Sequence, residues 1–339
     1  MAKDYSLSNL YLKTRYNLFK KCITPINWGK PDWEENFQNP QYTITENFMY
    51  NNNSYTSKDS VIQQNDGLHL KVTKLNPPEY REHWSGNFTC YWKCGWVEYH
   101  NIFDSPYGTW VINFVPPISG DGKGRVFPAL WFLREPYSPK ALRFKCGVSK
   151  IKYKDIKLSE NPERNPGVNW WVLDTNNNYL GRIQKYDPIN KIITLDKNIT
   201  NVNQTEILIS GDCITPEVDI MEILSDGYFA HTIHYGPTYD AYRKYCIGSN
   251  ICKPENREYE FAVSLYPDRY EFFIDGIKTC VLDKNKVKGG DEDFVSDQKL
   301  YMILNSAVQS EVRDGNIPDF IIRRIRYYKH KLNGFIECL

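Results

Sequence analysis

The chain has 339 residues, of which 42 are basic and 41 acidic, so the formal net charge is +1. A charge so close to neutral attracts neither nucleic acid nor an anionic membrane surface, and neither is expected as a partner. No window approaches the roughly 20 consecutive apolar residues of a transmembrane helix, whereas the chain is long enough to bury one large core.

Residues 1–25 are predicted to form an N-terminal arm, in which residues 7–21 have a pattern compatible with a short helix. This segment lacks the apolar stretch of about 7–15 residues that a secretion signal contains. The compartment in which the protein works is therefore left open by the sequence.

From residue 40 to the end, short runs of alternating apolar and polar residues are separated by Gly, Pro, Asn and Asp. This pattern is typical of a many-stranded antiparallel sandwich. The clearest strands are predicted at residues 93–99, 109–114 and 321–328. Asp275-Gly276 stands between two apolar runs, which predicts a hairpin. The predicted fold class is therefore all-β.

Residues 137–212 have strand patterns of their own, at 179–184 and 191–195. A structureless loop of this length is improbable in a compact domain. We therefore predict a β-rich insertion at 137–212, which divides one main domain into residues 26–136 and 213–339. Such an insertion could lengthen a binding groove, cap it, or bind a protein partner.

Three carboxylates follow the insertion, in the sequence Glu-Val-Asp-Ile-Met-Glu at residues 217–222. Side chains alternate between the two faces of a strand, so Glu217 and Asp219 share a face. Strict alternation would turn Glu222 to the other face, and a one-residue bulge at Ile220–Met221 would bring it back. Three acids on one face repel each other, which favours a chemical role over an exposed acidic edge strand.

Two of these carboxylates match the requirement of glycoside hydrolysis, in which one ionised and one protonated carboxyl group flank the bond to be cleaved. Glu217 and Glu222 are five residues apart across the bulge, so we expect a separation of about 5–5.5 Å, or slightly more, as in a retaining pair. Asp219 between them would hydrogen-bond a neighbour and help to set which carboxyl group holds the proton.

Seven segments of the chain, in the same order, resemble motifs of glycoside hydrolase family 16, which contains the laminarinases and lichenases. The segments are residues 66–70, 84–86 with 95–98, 127–133, 217–222, 231–236, 259–276 and 300–308. Each is weak alone, but their common order makes the resemblance specific.

The resemblance implies a β-jelly-roll sandwich of two antiparallel sheets, of the concanavalin A type. It also implies the roles of the acids: Glu217 aligns with the nucleophile, Asp219 with the assisting aspartate and Glu222 with the general acid/base. The extra residue in E-x-D-x-x-E places the chain in the bulged branch, which contains laminarinases and several algal galactan hydrolases.

Substrate contacts are implied for six further residues, which are Trp96, Trp131, Arg134, His234, Tyr235 and Asn305. Trp131 is expected to stack under a sugar ring, although a core position is the alternative. His234 is an expected partner of Asp219 or of a sugar hydroxyl, or else a structural histidine. Trp96 replaces a usual Arg and Tyr235 a usual Trp, which leaves the identity of the sugar more open than the type of reaction.

No cofactor and no metal are expected. Arg323 stands where the family carries an acid that helps to hold a structural Ca²⁺, and a cation in place of a carboxylate ligand disfavours that site. The nine cysteines show no metal-binding spacing, and buried free thiols are preferred over one or two disulfides.

The sequence thus predicts a retaining, endo-acting hydrolase of a β-linked polysaccharide, with β-1,3- or mixed β-1,3/1,4-glucan as the first substrate. A hydrolase of agarose, porphyran or carrageenan, or a transglycosylase, is the second interpretation. A glycan-binding or virion structural jelly roll without activity is the third. If the substrate is extracellular, the protein is either secreted with its signal removed, or released by lysis, or carried on a virus particle.

Overall fold

The computed structural model describes most of the main domain and parts of the predicted insertion. The described residues are 26–50, 53–83, 86–103, 105–118, 126–134, 150–152, 171–174, 179–187, 189–190, 192–196, 198, 207–210, 216–235, 243–247, 251–286, 295 and 299–330. The predicted N-terminal arm with its short helix lies outside them, as do residues 84–85 and 236 of the family-like segments.

The described residues form 24 strands and one 3₁₀ helix. The strands are β1 Trp33–Glu35, β2 Thr43–Ile44, β3 Met49–Tyr50, β4 Ser54–Thr56, β5 Val61–Gln64, β6 Gly67–Leu70, β7 Val72–His83, β8 Gly86–Cys94, β9 Trp96–Tyr99, β10 Gly108–Val115, β11 Ala129–Arg134, β12 Lys150–Lys152, β13 Trp171–Asp174, β14 Tyr179–Asp187, β15 Ile192–Leu195, β16 Ile207–Ser210, β17 Glu217–Ile223, β18 Phe229–Tyr235, β19 Arg243–Ile247, β20 Tyr259–Leu265, β21 Arg269–Ile274, β22 Ile277–Asp283, β23 Leu300–Asn305 and β24 Phe320–Tyr328. The 3₁₀ helix spans Lys58–Ser60.

Two antiparallel sheets carry the main domain. The eight-stranded sheet has the order β22-β21-β20-β10-β24-β6-β5, with β1 pairing to β24. The seven-stranded sheet has the order β19-β18-β17-β11-β23-β9-β2. Together they form the all-β sandwich that the sequence predicts.

The hydrophobic core draws on side chains of both sheets. Trp110 of the eight-stranded sheet and Phe132 of the seven-stranded sheet are fully buried, with ring centroids 4.9 Å apart. Burying an aromatic or aliphatic side chain of this size stabilises the fold by about 1.5–3 kcal/mol. Side chains alternate between the two faces of β11, so Leu130 and Phe132 enter this core. Trp131, between them, lies on the other face of the seven-stranded sheet.

A third sheet is built from strands within residues 150–210, in the order β12-β15-β14-β13-β16. The strands predicted at 179–184 and 191–195 are present as β14 and β15. They are joined through Asp187, whose carboxylate accepts hydrogen bonds from the backbone N–H groups of Ile189 and Asn190. The limits of the insertion at 137 and 212 stay a prediction, because neither residue is described.

A fourth sheet, β3-β4-β8-β7, leads directly into the seven-stranded sheet. The single strand predicted at 93–99 is in fact two strands, β8 and β9, separated by Gly95. A Cβ atom on Gly95 would lie 2.5 Å from the carbonyl oxygen of Ser60, so only glycine fits this close approach. The long-range contact, rather than the local pattern, divides the strand.

Two other local predictions are supported. β21 and β22 form the expected hairpin, and Asp275 and Gly276 have φ values of 50° and 75° at its turn, as a type I′ turn requires.

Four cysteines among the described residues are buried free thiols, namely Cys90, Cys94, Cys252 and Cys280. No helix within the described part of the chain is long and apolar enough to span a membrane.

Candidate active site

The three acids lie on β17, which pairs with β11 on one side and β18 on the other. Along β11, Met221 pairs with Leu130 and Asp219 pairs with Trp131, so Ile220 is the extra residue of a bulge. The register with β18 shifts at the same place, between Asp219 and Glu222. The bulge expected at Ile220–Met221 is therefore present.

The bulge turns the apolar residues inward and the acids outward. Val218, Ile220 and Met221 are all fully buried in the sandwich core. The side chain of Glu217 remains 29% exposed, whereas Asp219 and Glu222 are almost completely buried. Glu217 is thus the acid that a ligand reaches most directly.

His234 lies on the neighbouring strand, paired with Glu217 in register. Its Nε2 is 3.5 Å from Glu217 Oε1 and 3.3 Å from Asp219 Oδ2. The imidazole nitrogen therefore lies within ion-pair distance of both carboxylates.

Thr232 holds the third acid. Its hydroxyl donates a hydrogen bond of 2.6 Å to Glu222 Oε2, and both side chains are buried. The motif comparison did not single out Thr232. Its position two residues before His234 on the same strand is the sequence signal that places it on the acidic face.

Trp131 stands beside Asp219, its partner in register. The half-buried indole donates its Nε1–H to Asn305 Oδ1 at 2.7 Å, and its ring meets that of Trp96 edge-to-face at 5.7 Å. Asn305 itself is almost completely buried. In this arrangement Asn305 orients the indole of Trp131 on the same face as Asp219.

The remaining predicted contacts are placed differently. Trp96 is buried in an apolar cluster with Leu133, Tyr301 and Ile303, and Phe48 packs on its ring at 5.2 Å. It therefore supports the site from below rather than lining a surface. The side chain of Arg134, the last residue of β11, lies outside the described residues.

Tyr235 needs a correction, because it follows His234 directly and so faces the opposite side of β18. It is 3% exposed and belongs to the sandwich core. The structure therefore places Tyr235 in the core and not on the acidic face, where a sugar contact was predicted.

Glu217, Asp219 and His234 each offer one ligand atom, and these atoms lie within 4.8 Å of one another. Two carboxylates and an imidazole are a donor set that divalent transition metals accept.

A second charged cluster surrounds Arg323. Arg323 pairs with the carboxylate of Asp66 at 2.5 Å and also donates to the Asp66 carbonyl oxygen. His69 bridges Asp66 and Asp319 at 2.8 and 2.9 Å. The guanidinium group of Arg323 therefore stands against the oxygen atoms of Asp66.

No family model matches the sequence, and no curated protein matches it either. Solved structures do match. The laminarinase catalytic domain of Thermotoga maritima aligns with 89% of this chain and 98% of its own, at 17% identity and a TM-score of 0.51. The endo-β-1,3-glucanase of Pyrococcus furiosus aligns with 91% of this chain and 97% of its own, at 15% identity and a TM-score of 0.50.

An endo-acting O-glycanase of the human gut microbiota, connected with mucin breakdown, covers 89% of this chain and 91% of its own, at 14% identity and a TM-score of 0.52. At these identities the likeness concerns the fold. The chain has the β-jelly-roll fold of the laminarinases of glycoside hydrolase family 16.

Proposed function

We propose that the protein is a retaining, endo-acting glycoside hydrolase that cleaves a β-linked polysaccharide by double displacement. One observation carries the proposal: a bulged strand turns Glu217, Asp219 and Glu222 away from the core and onto one face. Loading one face of a strand with three acids costs stability, and hydrolysis of a glycosidic bond is a reaction that uses such a set.

Glu217 is the proposed nucleophile because it is the most exposed of the three acids. In the first step its carboxylate attacks the anomeric carbon while the bond to the leaving oxygen breaks, and Glu222 gives that oxygen a proton. In the second step Glu222 takes a proton from water, whose oxygen attacks the same carbon and releases Glu217. The two inversions leave the anomeric configuration unchanged.

The neighbouring side chains position these two acids. His234 stands against Glu217 and Asp219, with Nε2 within ion-pair distance of both carboxylates. Thr232 fixes one oxygen of Glu222, which determines where the other oxygen points. A pre-set geometry of this kind lowers the barrier because less ordering is needed during the reaction.

β-1,3- or mixed β-1,3/1,4-glucan is the proposed substrate. The laminarinase-like fold favours it, and the indole of Trp131 next to Asp219 offers an apolar platform for a pyranose face. The O-glycanase neighbour makes mucin O-glycans a substrate to include in any test.

The test is release of reducing ends from laminarin, mixed-linkage β-glucan, agarose, porphyran, carrageenan and mucin, with Glu217→Gln as the matched control. We expect cleavage of a β-glucan by the wild type and none by the variant. NMR of the first product should show the β-anomer before mutarotation. A folded wild type that binds a glycan without cleaving it would instead support the glycan-binding interpretation.

A further inference from the structure

His231 is a buried polar residue that the catalytic steps above do not use. It lies on β18, one residue before Thr232, and is fully buried in the sandwich interior. A polar side chain in such a place must find hydrogen-bond partners, since an unsatisfied one would destabilise the fold.

Its first partner is the bulge itself. Nδ1 of His231 lies 2.6 Å from the carbonyl oxygen of Ile220, the residue that has no register partner on β11. A carbonyl oxygen only accepts hydrogen bonds, so Nδ1 must carry the hydrogen.

Its second partner belongs to the other sheet. Nε2 lies 3.0 Å from the hydroxyl of Thr279 on β22, and the imidazole stacks on Phe272 of β21 with centroids 4.6 Å apart. The side chain therefore connects the catalytic strand of one sheet with two strands of the other.

The protonation state follows from burial and geometry together. Burial lowers the pKa of His231 to about 4, so the ring is neutral near pH 7 and has a single N–H. That N–H is on Nδ1, so Nε2 is an acceptor that faces the Thr279 hydroxyl. The same hydroxyl donates toward the Phe272 carbonyl oxygen at 3.1 Å, so its one hydrogen has two acceptors within reach.

We propose that His231 is a positioning residue, whose Nδ1–H holds the Ile220 carbonyl and thereby fixes Asp219 and Glu222 relative to each other. The inference rests on the proposed hydrolase function. Ile220 is the residue inserted between these two acids, so a rotation of its peptide would change the separation of the carboxyl groups. A displacement of about 1 Å is enough to lower an enzymatic rate by about a hundredfold.

Four variants separate positioning from general stability. H231N places an amide nitrogen near the position of Nδ1, and H231Q places one near that of Nε2. H231F retains a ring without either nitrogen. Thr279→Val removes the second partner and leaves the bond to the bulge.

We expect H231F and H231Q to lower kcat at least about tenfold, with KM changed less than about twofold. H231N and T279V should retain kcat within about threefold, even where the melting temperature falls. If kcat simply follows the melting temperature across the four variants, or if H231F retains wild-type kcat, the inference is wrong.

A second measurement does not depend on hydrolysis. The ¹⁵N NMR signals of the six histidines report which ring nitrogen is protonated, and H231N identifies the signal of His231. We expect the Nδ1–H form, without titration between pH 5 and pH 8. The Nε2–H form, or protonation within that range, would overturn the proposed contact.

The two proposals fail in different ways. An active wild type with unaffected H231F refutes the positioning role and leaves the hydrolase function standing. A wild type that cleaves none of the glycans refutes the hydrolase function and with it any role of His231 in catalysis, while the tautomer still decides whether the bond to the bulge exists.

Discussion

The hydroxyl of Thr232 donates a hydrogen bond of 2.6 Å to Glu222 Oε2, on the face of β18 opposite to His231. The acid that the proposed mechanism requires to give and take a proton is thus held from the adjacent strand. The bulge on β17 makes this contact possible, because it shifts Glu222 to pair with Ala230 and brings it within reach of Thr232.

Thr232→Val should lower kcat by about tenfold and destabilise the protein by about 1–3 kcal/mol, since a buried carboxyl oxygen loses its donor. Thr232→Ser keeps the hydroxyl and is the matched control. Steady-state kinetics and urea denaturation of the three proteins measure both effects. Equal kcat values for the Val and Ser variants would mean that the hydroxyl does not position Glu222.

Glu217→Ala should lose nearly all turnover and regain part of it with azide. Azide fits the space of the missing carboxylate, attacks the anomeric carbon and gives a glycosyl azide of inverted configuration. An activated aryl glucoside with a good leaving group makes the product easy to identify by NMR. Rescue of Glu222→Ala to the inverted azide, but not of Glu217→Ala, would exchange the roles of the two acids.

The acidic face and its bulge could be predicted because both follow from the period of two along one strand. The positions of Glu217, Asp219 and Glu222 relative to the core need only local alternation and one inserted residue. Alternation along β18 likewise puts Tyr235 in the core, on the face opposite to His234. The family motif is a run of neighbouring residues and does not distinguish the two faces of the strand.

The remaining features depend on contacts between residues far apart in sequence. His231 meets Thr279, 48 residues away, across the two sheets. The break at Gly95 comes from the approach of the Ser60 carbonyl. No pattern within a short window encodes either contact, so the sequence could indicate a strand or a buried histidine but not its partner.

Trp131→Ala should raise KM at least about tenfold with a smaller effect on kcat, because a stacked ring binds the sugar in the ground state and in the transition state alike. Trp131→Phe retains a ring but not the bond to Asn305, so its KM should be intermediate. Kinetics on laminarin, together with isothermal titration using inactive Glu217→Gln as the background, separate binding from turnover. An unchanged KM in Trp131→Ala would place the sugar elsewhere.

Chelation should leave the melting temperature unchanged, because Arg323 supplies the positive charge beside Asp66. Scanning calorimetry with EDTA and with added Ca²⁺ tests this expectation. Stabilisation by Ca²⁺ would show that the cation site exists despite the arginine. Arg323→Gln is the informative variant, since it removes the charge and keeps a polar side chain.

The stabilising effect of Arg323 should depend on pH in a defined direction. Hydrogen bonds from His69 and then from Arg323 lower the pKa of Asp66 to about 2, below the value of about 3.9 in an unfolded chain. A lowered pKa gives stability that is present above the unfolded value and lost as the pH falls towards 2. The difference in melting temperature between wild type and Arg323→Gln should therefore shrink between about pH 4 and pH 2. A difference independent of pH would mean that the pair contributes through packing alone.

Gly95→Ala should destabilise the protein, because the junction of β8 and β9 has no room for a methyl group. The new Cβ would lie 2.5 Å from the Ser60 carbonyl oxygen and 3.0 Å from the Leu70 Cα. Both are backbone atoms, which cannot move aside as a flexible side chain would, so we expect a loss of about 1–3 kcal/mol in the free energy of unfolding. Gly29→Ala adds the same methyl group where nothing lies within 4 Å, although its φ of 75° strains a side chain in its own right. Urea denaturation of both variants separates the steric clash at Gly95 from the backbone strain at Gly29. A larger loss of stability in Gly95→Ala would identify the clash at the junction of β8 and β9. Equal losses would show that the backbone at this junction relaxes to admit the methyl group.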